Sequence, residues 1–485
     1  MPNDVAGGSV PKLQRALGLR DLVLFNIAAV LGLRWLSVAA QIGPSSLVLW
    51  ALALLVFFLP LALTVVEASS RLPGEGGFYL WSKAAFGDLH AFIAGWSYWI
   101  GNLVFFPSLL LFGAGIAVYV PGDRWLSLGS NPVYNGVFCL AVLWGTTLLN
   151  IYGLQRAKWL QNVGASATWI IAAAIVLAGI AAWFRFGAAT PITVSNLKPD
   201  FGSFAALATF ATIALAYEGM ELGPVLGGEI REPRKTIPRA VIIAGAFVAL
   251  AYIAGTAALL VALPGKRIDL IAGIPQALAS VGDRLGLVWF GVAAAVLLTL
   301  SQLGGLGAWI TGTARLPFVV GIDRYLPKPM ARLHPKHATP HVALLTQGVL
   351  VSLVLVGALS GSTIHQSYLV LIDMTQILTF IPLLYIFASL PVLRRSRIGD
   401  GDGVIRAIPG GQAGCWLVCG VGFAITLLAL VTSLAPPAHD RHPGLFFFKV
   451  GGGCALLLGI GMVFYLRGRL DWRANRPMPD IVGPP

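Results

Sequence analysis

Four ionisable residues sit in the most apolar parts of this chain. Glu218 and Glu221 lie three apart inside "TIALAYEGMELGPVLGG", residues 212–228. Arg34 interrupts "LVLFNIAAVLGLRWLSVAAQIG", residues 22–43, and Asp373 lies in "LVLIDMTQILTF", residues 369–380. A carboxylate binds an ammonium group or takes up a proton. Two carboxylates this close do not both ionise freely, so the pair is suited to carrying a proton. A guanidinium grips a carboxylate through two parallel hydrogen bonds. These residue types therefore offer binding of a small amine or amino acid, coupled to proton movement. A second reading stays open: an internal network in which one base and three acids partly neutralise one another.

The elements that carry these groups explain why their cost is bearable. Of 485 residues, 57% are hydrophobic and only 11% are charged, too little polar surface for a soluble protein of this length. Apolar runs long enough to cross roughly 30 Å of hydrocarbon recur along the chain. There are twelve, at 22–44, 46–66, 91–120, 133–152, 160–184, 203–226, 240–263, 286–312, 341–359, 366–390, 412–434 and 446–466. The connectors are too short to build a separate soluble domain. The expected fold class is therefore an all-α polytopic membrane protein with 12 transmembrane helices.

Two of the runs are interrupted. From Leu22 to Leu31 is about 15 Å of helix, half the membrane, and there Gly32 and Arg34 follow. From Ser203 to Tyr217 is about 21 Å, and then come Glu218, Gly219, Glu221, Gly223 and Pro224. Backbone groups freed by a break are tolerated only against protein or water. Glu218 and Glu221 are accordingly expected to face a wet cavity. Spans 1 and 6 cross in opposite directions, and matching breaks in halves of opposite polarity point to an inverted-repeat transporter. Gly-Pro kinks in an ordinary bundle are the bland alternative.

The net charge of +13 follows topology. With the N-terminus inside, inner connectors carry 24 Lys and Arg and outer ones 7, while Arg34 and Lys449 fall within spans. This asymmetry places both termini in the cytoplasm of a multi-pass cell-membrane protein. It assigns the basic excess to anionic lipid, not nucleic acid. Residues 1–21 do not resemble a cleaved signal peptide. Cys139, Cys415, Cys419 and Cys454 all fall in spans and read as packing residues. All seven His lie in connectors or at span ends, and the loose "HPKH" and "HDRH" spacings make no metal set. No phosphate-binding loop is present, so ATP drive is not expected. A membrane-embedded enzyme would need a nucleophile–base pair or metal that the chain does not show. A sensor or channel on a transporter fold is the other competing class. No cofactor or metal is expected, and a monomer or homodimer is.

Three connector motifs are specific. They are "VVEASSRLPGEGGFYLWSKAAFG" (65–87), "GGEIREPRKTIPRA" (227–240) and "GIDRYLPKPMARLHPKHATP" (321–340). Through them the chain resembles the amino acid/polyamine/organocation (APC) superfamily of permeases over about residues 15–470, nearest the glutamate/GABA-antiporter-like branch. The resemblance implies a LeuT-type, five-plus-five inverted repeat with broken helices 1 and 6, plus two C-terminal helices. It implies a cytoplasmic segment 1–21, a core over 22–390 with repeats at about 22–184 and 203–390, a cytoplasmic loop 391–411, extra helices over 412–466 and a tail 467–485. It also implies alternating access around a central site for an amino acid or related amine, by proton coupling or exchange. A polyamine or organic-cation carrier is the runner-up.

Carried over residue by residue, the family's Gly-Ser-Gly break falls on Gly32, Leu33 and Arg34, and only the first matches. In "AYEGMEL" Gly219 and Glu221 match the family's pattern, while Glu218, after Tyr217, is an added acid. Asn102 in "YWIGNL" and Trp309 in "GLGAW" fall where the arginine/agmatine antiporter contacts and covers its substrate. Thr168 stands where some proton-coupled relatives carry a Lys. The expected roles are substrate binding for Gly32, Leu33, Arg34, Asn102, Tyr217, Glu218, Gly219 and Trp309, and proton coupling or a charge network for Glu221, Arg34 and Asp373. Arg34 either contacts substrate or pairs with Glu218, Glu221 or Asp373.

Overall fold

The computed structural model describes residues 15–121, 123–264, 268, 273–287, 289–323, 325–360, 364–434 and 443–474. The outermost parts of the expected N-terminal segment and tail, with His439 and His442, lie outside the described residues. Two helices, α1 (Leu19–Val30) and α2 (Arg34–Ile42), meet at a 43° bend and make one broken span. Then come α3 (Ser45–Arg71), the short α4 (Phe78–Phe86), α5 (Asp88–Ala117), α6 (Pro132–Ile151) and α7 (Leu154–Phe186). The sixth expected span is α8 (Phe204–Leu215), a turn, and the one-turn α9 (Leu222–Val225). The second half continues with α10 (Pro233–Ala262), α11 (Gly273–Leu285), α12 (Phe290–Thr313), α13 (Arg315–Ile322), α14 (His341–Leu359) and α15 (Ile364–Arg395). Two further helices, α16 (Gly411–Ser433) and α17 (Phe447–Leu470), close the chain.

Among the described residues, ten helices are long and apolar enough to cross a membrane, and the bent α1–α2 pair makes an eleventh span. The 12-residue α8 reaches only about 18 Å, so the sixth span is not a continuous crossing. Local chemistry sets the ends. The Asn131 side chain accepts from the amides of Val133 at 2.9 Å and Tyr134 at 3.2 Å, with Pro132 at the first helical position of α6. Ser203 caps α8 by accepting from Ala206 at 3.2 Å.

The long helices carry apolar side chains on their outer surfaces. Val137, Leu177, Phe184, Leu250, Leu353, Leu417 and Phe448 all stand exposed on helix surfaces, where lipid is the fitting solvent. Inside, α12 lies along α7, α15 along α5, and α10 against α1 and α7. The first of these contacts depends on two glycines. A Cβ added to Gly304 would sit 2.5 Å from the Gly164 Cα, so neither position accepts a side chain without parting the helices.

At the end of the bundle that carries the N-terminus, connectors are stitched together. Leu17 pairs with Ile230 and Glu75 with Leu226 as isolated β-bridges. Glu229 is gripped by Arg315 at 2.9 and 3.0 Å, both buried. Glu67, fully buried, takes hydrogen bonds from Arg71 and from Arg394, the latter at 2.9 and 3.0 Å. Glu75 Oε2 accepts from the Gly228 amide at 2.7 Å, while its Oε1 has no hydrogen-bond partner among the described residues. Burial first, and then the nearby Glu229, push the Glu75 carboxyl well above the ordinary carboxylate range.

Two stability measurements follow. Gly304→Val should cost at least about 1–3 kcal/mol by overpacking and lower the melting temperature in detergent, whereas Gly357→Ala, with nothing within 4 Å of the added methyl, should not. Because the folded state raises the Glu75 carboxyl, it holds a proton that the unfolded state releases. That contribution is present at low pH and lost as pH rises through the folded value. Glu75→Gln should therefore flatten the fall in melting temperature as pH rises above the ordinary carboxylate range, and leave the variant the more stable once the native carboxyl has lost its proton. A slope identical to that of the native protein would contradict this.

Candidate functional site

Both breaks sit at one place. The α1 helix stops at Val30, and the chain turns through Leu31, Gly32 and Leu33 before α2 begins at Arg34. The α8 helix stops at Leu215, and the chain turns from Ala216 to Glu221. Gly219 makes that turn at φ +122°, which a residue with a Cβ rarely adopts. A Cβ there would also meet Val30 at 3.1 Å and Trp309 at 3.4 Å.

Side chains cover the backbone groups that the breaks release. The Trp309 indole N–H donates to the Ala29 carbonyl at 2.9 Å. The Tyr252 hydroxyl accepts from the Gly32 amide at 3.1 Å and lies 2.7 Å from the Val30 carbonyl and 2.8 Å from the Ala216 carbonyl. The Gly219 amide donates to Glu221 Oε2 at 3.0 Å.

Between the breaks is a narrow cavity of about 50 Å³. It is lined by α1 and α2 at Ala28–Gly32, Arg34 and Trp35, by Asn102 and Phe105 of α5, and by Ala216 and Glu218. Ser301, Gln302, Gly305 and Trp309 of α12 and Thr375 and Thr379 of α15 complete it. Arg34 is 6% exposed, its guanidinium 4.7 Å from the Trp35 ring centre and 4.8 Å from that of Phe105. The aromatic faces stabilise a cation that is otherwise poorly placed at a helix N-terminus. Glu218 is 8% exposed, and its Oε1 has no hydrogen-bond partner among the described residues. The site thus presents a guanidinium and a carboxyl group to the same small space.

The structure separates residues that the sequence grouped. Gly32, Arg34, Asn102, Glu218 and Trp309 line the cavity. Leu33 and Tyr217 are buried outside its lining, Tyr217 against Phe58 at 4.8 Å and edge-on to Trp50 at 5.3 Å. Glu221 does not line the cavity with Glu218. It is fully buried, accepting from Tyr98 at 2.8 Å as well as from Gly219. Asp373 also stands apart. Two residues along a helix is a rotation of about 200°, so with Thr375 and Thr379 facing the cavity, Asp373 lies on the other side of α15. Thr168 bonds the Gly164 carbonyl at 2.8 Å and Ser301 at 2.6 Å.

Phe105, Thr375, Thr379 and Tyr252 escaped the sequence reading. Tyr252 carried a signal: a phenol in the apolar run "ALAYIAGTAALL" must find a hydrogen-bond partner when buried.

An amino acid permease family model matches residues 17–459. An uncharacterized transporter of Legionella pneumophila is 28% identical over 93% of this chain and 97% of its own length. A glutamate/gamma-aminobutyrate antiporter of Lactococcus lactis is 27% identical over 79% of this chain and 76% of its own. A probable agmatine/putrescine antiporter of Lactococcus lactis is 24% identical over 90% and 92%. Among solved structures, MhsT in complex with L-phenylalanine superposes with a TM-score of 0.60, covering 87% of this chain and 100% of that one. At 14% identity that match shows a shared fold.

Trp309→Leu removes both the indole N–H to Ala29 and the ring that lines the cavity. Apparent substrate affinity should fall by about 0.5–2 kcal/mol, or up to tens of fold, with folded yield nearly unchanged. Unaltered affinity would show that the ring serves packing alone.

Proposed function

The chain belongs to the amino acid permease family and is a secondary transporter of amino acids or related amines, and from that premise we propose that it carries a zwitterion, with Arg34 on the carboxylate and Glu218 on the ammonium group. One observation carries this reading. A buried arginine and a buried glutamate, Arg34 and Glu218, line a single cavity between the two helix breaks. A guanidinium in that space repels a diamine and attracts a carboxylate. The relatives' printed substrates span both chemistries: glutamate and gamma-aminobutyrate carry carboxylates, agmatine and putrescine do not. The Arg34 charge favours the first kind.

We further propose exchange or proton-coupled transport with Glu221 as the proton site. Tyr98 bonds Glu221, and the cavity-lining Asn102 bonds the Tyr98 carbonyl at 2.8 Å. Asn102 lies one helical turn along α5 from Tyr98, so the buried acid sits one turn beyond the cavity lining. The excess of basic residues on one set of connectors supports cytoplasmic termini in a cell membrane.

Counterflow in liposomes tests the assignment. Labelled amino acids should exchange, and the decarboxylated amine of a good substrate should not. Arg34→Ala should cost more than about tenfold in uptake of the amino acid and so narrow its advantage over the amine. Glu218→Gln should mainly raise the apparent KM. Glu221→Gln should retain some transport with a flattened pH profile. Amines exchanged better than amino acids would overturn the zwitterion reading, and an unchanged pH profile in Glu221→Gln would overturn the proton assignment.

A further inference from the structure

Tyr252 belongs to neither broken span. It stands on α10, an unbroken helix of 30 residues, and is fully buried. Its ring is fixed independently of its hydroxyl. It stacks on Trp50 of α3 with centroids 4.4 Å apart and planes 8° apart, and Trp50 is itself held to α10 by a 3.0 Å bond to Thr256. The hydroxyl projects from this post into both breaks at once. It accepts from the Gly32 amide and shares its proton between the Val30 and Ala216 carbonyls. One oxygen atom therefore joins the unwound stretch after α1 to the unwound stretch after α8.

The consequence lies two residues further along each chain. Arg34 follows Gly32 by two, and Glu218 follows Ala216 by two. Tying Gly32 to Ala216 fixes how far apart the guanidinium and the carboxylate are held. We infer that Tyr252 is the positioning residue that sets the spacing between the two charges, and so selects which separation of ammonium and carboxylate a substrate must have. This rests on the reading of Arg34 and Glu218 as the zwitterion's partners.

The test uses three isomers of one formula in which that separation grows by one carbon each: α-, β- and γ-aminobutyrate. Native protein and Tyr252→Phe are compared by counterflow in liposomes. The variant keeps the ring on Trp50 but leaves three backbone groups without the hydroxyl, so it should still fold, with a melting temperature below that of the native protein. Discrimination between the best and worst isomer should shrink by about tenfold, because the charges no longer sit at a fixed distance. A uniform loss for all three isomers, or unchanged discrimination, would reduce Tyr252 to a packing residue. Should Tyr252→Phe not fold, Tyr252→His retains a ring on Trp50 and a donor. It should lose part of the discrimination, and full retention would overturn the proposal.

A second readout needs no substrate. Spin labels at Gln41→Cys and Phe204→Cys, exposed positions on α2 and α8, report the separation of the two helices, and the four native cysteines are buried. Tyr252→Phe should broaden that distance distribution, and an unchanged distribution overturns the tie. If native protein exchanges none of the three isomers but the labels respond, the zwitterion reading fails and the tie stands.

Discussion

A backbone amide or carbonyl released at membrane depth has no water to bond, and every feature of this site answers to that constraint. Opening α1 and α8 frees groups at Ala29, Val30, Gly32, Ala216 and Gly219. Each finds a side chain: an indole for Ala29, one phenol for Val30, Gly32 and Ala216, and a carboxylate for Gly219. The breaks are therefore supported structures and not loosened helix. For all but Gly219 the support comes from α10 and α12, which run unbroken.

That support changes what a substrate can bind. With the break's backbone groups engaged by Tyr252 and Trp309, the cavity offers side chains instead, and two of them are charged. Arg34 occupies space that a glycine leaves open in the resembling permeases, and it supplies a positive group in exchange. Glu218 supplies the negative one. Their opposite signs lower the electrostatic cost of burying either, and a zwitterion placed between them satisfies both.

Three buried ion pairs lie toward one end of the bundle, in closed arrangements. Glu67 with Arg71 and Arg394, and Glu229 with Arg315, are buried with their hydrogen-bonding groups engaged. Their carboxylates and guanidinium groups tie connectors that are far apart in sequence, such as residues 67 and 394. The motifs that reveal the family are thus largely the stitching of this end, while the residues proposed to meet the substrate lie outside them.

Much of this was written in one dimension. Runs of apolar residues about as long as the membrane is thick dictate an all-α polytopic chain, because only helices satisfy their own backbone in lipid. Gly32, Gly219 and Pro224 mark the breaks, since glycine and proline are what a membrane helix opens on. The presence of acids there, and of an arginine opposite, was equally legible. Direction was not. Glu218 and Glu221 are three apart, a spacing that shares a face on a continuous helix, but Gly219 at positive φ turns the chain between them, so one faces the cavity and the other is buried beside Tyr98. Asp373 looked like a fourth member of the group, and the register of α15 sends Thr375 and Thr379 to the cavity in its place. Tyr252 lies 220 residues from Gly32 and 36 from Ala216, and no local pattern links them. Sequence decides which groups exist and roughly at what depth, because hydrophobic length and backbone chemistry are local. Which of them meet is decided by helix rotation and packing, which only the folded bundle sets.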